Sequence, residues 1–144
     1  MRSTYQSEVG KIKTVYIKNV RHAFVNEETV SSEWKALNYL GQPDLIKAET
    51  EYKKFEVLLK SEGAELHYFP QDASVSMDSI YCRDAAIATD HGMIICNMGK
   101  PARAHEPEAE RKAFAKNGNR VLGIIQAPGT VEGGDVAWLD EKTL

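Results

Sequence analysis

Apolar residues recur along this chain at two different spacings, and the change from one to the other marks its elements. In QPDLIKAETEYKKFEVLLKSEG, Leu45, Ala48, Tyr52, Phe55 and Leu58 follow one another at three or four residues, with Leu59 adjacent, which predicts one apolar helical stripe. Asp44 stands at the expected N-cap and Gly63 at the expected C-terminal stop. On either side the pattern is strand-like. TVYIKNV, residues 14–20, is rich in β-branched residues, and AELHYFP reads as a strand stopped by Pro70.

The second half follows the same order. AAIATDHGMIICNM predicts two short strands joined at Asp90, His91 and Gly92, where glycine supplies the positive φ of a tight hairpin. EPEAERKAFAKNG predicts a short helix, with acids in its first turn and Lys116 in its last, as the macrodipole favours. RVLGIIQAP and DVAWLD read as strands. Helix, glycine stop and strand thus occur twice, suggesting a ββαβ-like unit of roughly 50 residues. Any α/β chain alternates this way, so the pattern gives the class and leaves the repeat open.

Composition narrows the function classes. The 144 residues are 42% hydrophobic and 27% charged, which suits one compact globular domain. A formal charge of -3 provides no basic footprint for nucleic acid or an anionic membrane. No apolar run approaches the roughly 20 residues of a membrane helix, and MRSTYQSEVG lacks a signal-peptide core, so the expectation is a soluble, cytoplasmic protein. Cys82 and Cys96 are the two cysteines; without CxxC spacing they read as reduced thiols.

Two acidic motifs suggest chemistry. MDSIYCRDAAIA sets Asp78, Arg83 and Asp84 before an apolar strand, and EGGDVAWL sets Glu132 and Asp135 before another. A single acid in such a place is ordinarily a turn residue. Two at neighbouring strand ends can converge, and paired carboxylates match the donor fork of a guanidinium. Gly133 and Gly134, lacking Cβ, would let backbone approach a ligand closely.

Taken in order, DSIYCRD, GKPAR and EGGDV resemble the guanidino-group modifying superfamily of dimethylarginine dimethylaminohydrolases, arginine deiminases and amidinotransferases, with the first group the nearest match. The resemblance implies the pentein fold, an α/β propeller of five ββαβ-type units. This chain, residues 1–144, would be the N-terminal portion, about the first half, of a single catalytic domain. Asp78 and Asp84 would bind the substrate guanidinium, and Arg103 the α-carboxylate. Glu132 would orient a catalytic histidine, with Asp135 supporting its turn. EWKALNYLGQPD would be a mobile lid, with Leu40 its contact over the substrate. Arg83 stands where the dimethylarginine group often has an acid, and the RD pair is closer to the deiminases.

The chemistry implied is C–N hydrolysis of arginine or an N-methylated arginine to citrulline plus ammonia or an amine, through a cysteine thiouronium intermediate. No cofactor and no metal are implied. The family's histidine follows EGGD by several tens of residues and its cysteine lies near the C-terminus, so both fall beyond Leu144. Neither cysteine here is an obvious substitute: Cys82 has a cation beside it but no identifiable base, and Cys96 sits in an apolar run. His22, His67, His91 and His105 show no metal-ligand spacing. Two further expectations follow: association with a second copy through the Trp138 strand or with a missing C-terminal half, and, alternatively, a non-catalytic guanidinium-binding or oligomerising half-propeller module or an amidinotransferase.

Overall fold

The computed structural model describes residues 6–140 and 142–144. The first five residues of the leader lie outside them. The chain divides into two compact units, Ile12–Tyr81 and Cys82–Leu144, the second including the leader up to Lys11.

In Ile12–Tyr81, β1 (Thr14–Ile17) runs parallel to β2 (Glu65–Tyr68), with Thr14 opposite Glu65 and Ile17 opposite Tyr68. A parallel pair needs a long crossover, and three helices supply it: α1 (Val20–Ala23), α2 (Glu27–Glu33) and α3 (Leu45–Ser61). The Asp44 carboxylate caps α3 by accepting from the Lys47 amide at 2.9 Å, and Gly63 leaves the helix at φ 85°. The first strand is shorter than its composition predicts. Asn19 caps α1 by accepting from the Arg21 amide, turning the chain into a helix where strand was expected. Asn26 likewise caps α2 through the Thr29 amide.

The core of this unit gathers Val20, Ala23, Phe24, Val30, Leu37, Leu45 and Met77, with Ala48 and Tyr52 of α3 against it. The apolar stripe of α3 is only half used, since Phe55 and Leu58 are 43% and 59% exposed.

In Cys82–Leu144, β3 (Ala86–Thr89) and β4 (Gly92–Ile95) form the expected hairpin, and β5 (Val121–Ile124) adds parallel to β4. The crossover is α4 (Glu106–Lys116), stopped at Gly118 with φ 74°. Ile95, Cys96, Ala113 and Phe114 are buried here. Each unit therefore contains a parallel strand pair connected through a helix and a glycine stop. DVAWLD is not a strand. Gly133–Asp135 form a single 3₁₀ turn, and the backbone beyond is satisfied by side chains: Arg83 Nη2 donates to the Val136 carbonyl at 3.2 Å, and the Trp138 amide donates to Glu8 at 3.0 Å. With those groups occupied, no ladder forms, and the expected Trp138 interface strand is absent among the described residues.

Candidate functional site

Most of the residues singled out in the sequence lie in Cys82–Leu144. Asp84 precedes β3, Arg103 ends the 3₁₀ turn Pro101–Arg103, and Glu132 opens the turn at Gly133–Asp135. Pro101 at the start of its turn presets the backbone for helical geometry.

Arg103 is buried, and its fork is engaged at each nitrogen. Nε donates to both carboxylate oxygens of Glu106, at 3.0 and 3.1 Å, and Nη2 donates to Glu106 Oε2 at 2.7 Å. Nη1 donates to Asp84 Oδ2 at 2.6 Å. Burial on its own would lower the arginine pKa, but hydrogen bonds to Glu106 and then Asp84 carry it above the ordinary range. Arg103 therefore faces two carboxylates of its own unit, an arrangement that a role with a substrate carboxylate did not lead one to expect.

The two glycines have a concrete cause. The Gly133 amide donates to the Asp84 carbonyl at 2.8 Å, drawing the turn onto the Asp84 segment. A Cβ on Gly133 would run into the Arg83 carbonyl oxygen and stand 2.8 Å from that of Ala86. A Cβ on Gly134 would collide with Asp84 Oδ1. The glycines thus permit close approach to this chain's own backbone and carboxylate. Asp84 lies between Arg103 on one oxygen and Gly134 at the other. Glu132, half-buried, accepts from the Gly99 amide through Oε1 at 3.0 Å.

Cys96 lies near this acidic group. Burial, then the charge of Glu110, pushes its thiol up to about 11, with smaller contributions in the same direction from Asp84 and Glu132. A backbone hydrogen bond at Gly133 acts against them and is outweighed. Cys96 is consequently a neutral thiol at physiological pH. Cys82 is half-exposed, while its neighbour Arg83 directs its guanidinium to Val136 and to Glu8, 3.6 Å away.

In Ile12–Tyr81, Asp78 lies in the 3₁₀ turn Met77–Ile80 and is 4% exposed. The turn is anchored where the Met77 amide donates to Glu33 Oε2 at 2.8 Å. Burial, then Tyr81 and Asp78, raises the Tyr39 phenol above its ordinary pKa, which groups two tyrosines with the carboxylate. Neither tyrosine was marked by the sequence reading. Leu40 is fully exposed just after Tyr39, while Leu37 is buried and anchors the segment. His22 Nδ1 lies 3.1 Å from the Phe69 carbonyl oxygen, and the His67 ring stacks on Tyr16 at 5.0 Å. His91 occupies the β3–β4 turn and His105 begins α4. Among the described residues no His, Cys, Asp and Glu group is placed to hold a metal ion, and no helix is long and apolar enough to cross a membrane.

The parallel strand pairs, the EGGD turn against Asp84 and the order of the motifs describe a mixed α/β chain that resembles the guanidino-group modifying (pentein) superfamily. Within it, the similarity is to dimethylarginine dimethylaminohydrolase. The chain is 28% identical over 99 residues to N(G),N(G)-dimethylarginine dimethylaminohydrolase of Pseudomonas aeruginosa, covering 69% of this chain and 39% of that protein. Its fold matches a dimethylarginine dimethylaminohydrolase adduct with 4-chloro-2-hydroxymethylpyridine at TM-score 0.67 and 24% identity, over 89% of this chain and 46% of the other. A mutant of the Pseudomonas aeruginosa enzyme complexed with citrulline matches at TM-score 0.67 and 24% identity, over 88% and 46%. This chain therefore spans less than half the length of these relatives. No protein-family model matches it.

Proposed function

We propose that this chain supplies substrate-binding carboxylates for hydrolysis of a guanidino C–N bond in arginine or an N-methylated arginine, yielding citrulline plus ammonia or an amine. The observation that carries the reading is Asp84, a carboxylate held by Arg103 beside the Glu132 turn, which glycine lets approach closely. Support comes also from the similarity to an enzyme named for dimethylarginine and from a citrulline complex of that enzyme. The two strand-helix-strand units are, on this proposal, the first blades of a five-unit pentein propeller within one catalytic domain.

Each residue has a role in this scheme. Asp84 accepts hydrogen bonds from the substrate guanidinium, which keeps the cation charged and oriented, and the same role is proposed for Asp78. Glu132, steadied by the Gly99 amide, orients the histidine that moves protons. Leu40 closes over the substrate from its exposed loop. The attacking thiolate forms the thiouronium, the amine leaves, and water then releases citrulline. Cys96 does not fit that thiolate, because burial keeps it protonated. The cation beside Cys82, Arg83, is directed to Val136 and Glu8, so on this proposal the nucleophile and its histidine are assigned to no residue of this chain, which by itself would not turn over.

Citrulline release from arginine and from dimethylarginine by the natural gene product carrying this chain tests the reading, with Asp84→Asn and Glu132→Gln alongside. Sharp loss of turnover in both variants supports it; normal turnover in both refutes it. Arginine binding without citrulline would favour a non-catalytic guanidinium-binding module, which the buried Cys96 thiol also suits. Transfer of the amidino group to added glycine would favour an amidinotransferase.

A further inference from the structure

A buried arginine paired with one carboxylate forms a neutral couple, and a neutral couple offers little to an incoming cation. Asp84 and Arg103 alone would be such a couple. The structure contains a third member, Glu106, which is 2% exposed in the first turn of α4, where the macrodipole favours an anion. Glu106 follows Arg103 by three residues and receives its Nε and Nη2 together. That two-pronged grip fixes the plane of the guanidinium and leaves Nη1 directed at Asp84.

We propose that Glu106 is a positioning residue for the guanidinium site: it holds Arg103 on Asp84 Oδ2 and supplies the charge that keeps the trio net negative. The inference deepens the proposed function and rests on Asp84 being a guanidinium ligand. Geometry and charge act together. Arg103 holds the Asp84 carboxylate through Oδ2 and places Oδ1 on the Gly134 side. Two carboxylates and one guanidinium then present one negative charge to the substrate. The same geometry makes Arg103 a support beneath Asp84, with Nε, Nη1 and Nη2 each engaged by a carboxylate.

Calorimetric titration of the natural gene product with arginine and with agmatine, which lacks the α-carboxylate, tests this in the wild type, Glu106→Gln and Arg103→Lys. The expected result is that Glu106→Gln weakens both ligands by a similar factor, about tenfold or more on the scale of a charge-assisted hydrogen bond. Its affinity should also depend less on salt, a change that a purely structural role would not produce because lost folding lowers stoichiometry and leaves the electrostatics of folded molecules alone. Wild-type affinity in Glu106→Gln overturns the inference. So does an Arg103→Lys protein that binds agmatine as tightly as the wild type, since Arg103 would then not act through Asp84. No arginine binding by the wild type overturns the guanidinium reading, and this inference with it. If Glu106→Gln does not fold, nitrogen NMR of the unaltered protein decides: separate, slowly exchanging Arg103 guanidinium signals support the grip, and freely averaged signals overturn it.

Discussion

The Gly99 amide donates to Oε1 of Glu132 at 3.0 Å, fastening the acid of the EGGD turn to the segment that follows β4. A glutamine in place of Glu132 could still accept this bond, so Glu132→Gln changes charge while leaving the local geometry. Folding stability should stay within about 0.5 kcal/mol of wild type. Citrulline turnover by the natural gene product should fall about 100-fold or more, the scale of a lost acid–base contribution. Unchanged thermal unfolding together with that kinetic loss is the expected pair of measurements.

The two adjacent glycines separate stability from binding. Gly133→Ala drives a methyl group against the carbonyl oxygens of Arg83 and Ala86, which belong to backbone and cannot swing aside. A loss of about 1 to 3 kcal/mol in denaturant unfolding is expected. Gly134→Ala instead meets the Asp84 carboxylate, a side chain that can rotate. It should retain more stability than Gly133→Ala and lose arginine affinity in titration.

Cys96 predicts a pH dependence. Its thiol is raised from 9.0 to about 11, first by burial and then by Glu110, so the folded state holds the proton more tightly than the unfolded state. The resulting stabilisation is fully present below about pH 9 and is lost as pH rises through about 11. It amounts to roughly 3 kcal/mol at most. The stability difference between wild type and Cys96→Ala, followed by urea unfolding, should shrink across that interval. At pH 8, iodoacetamide should modify Cys82 and leave Cys96 intact in the folded protein.

Asp44→Ala removes the side chain that accepts from the Lys47 amide at the start of α3. Unfolding free energy should drop by about 1 kcal/mol, and Asp44→Asn should restore most of it.

What could be read in the sequence was what local chemistry dictates. Asp44, Gly63, Gly92 and Gly118 punctuate the chain where expected, because caps and positive φ depend on few neighbours. Helices α1 and α2, of four and seven residues, are too short for a hydrophobic period to show; their signal was Asn19 and Asn26, each capping an amide two or three residues on. DVAWLD was misread because its backbone is satisfied by Glu8 and Arg83, side chains whose arrival no local pattern announces. The acids of the candidate site were visible as residue types, whereas their partners were not. Glu106 looked like one more first-turn acid, and only the spacing from Arg103, three residues, hinted at the ion pair.

The topology also sets an order of events in folding. β1 and β2 lie at opposite ends of a long stretch of chain and run parallel, so their pairing is expected to follow the formation of α3. The β3–β4 hairpin needs no such intermediary. Changes to the α3 cap should therefore slow refolding of Ile12–Tyr81 as well as weaken it, while the hairpin of the other unit gains protection from hydrogen exchange early. A helix that leaves part of its apolar stripe in solvent thus serves its unit as a return path, bringing the chain back to where β2 can lie beside β1.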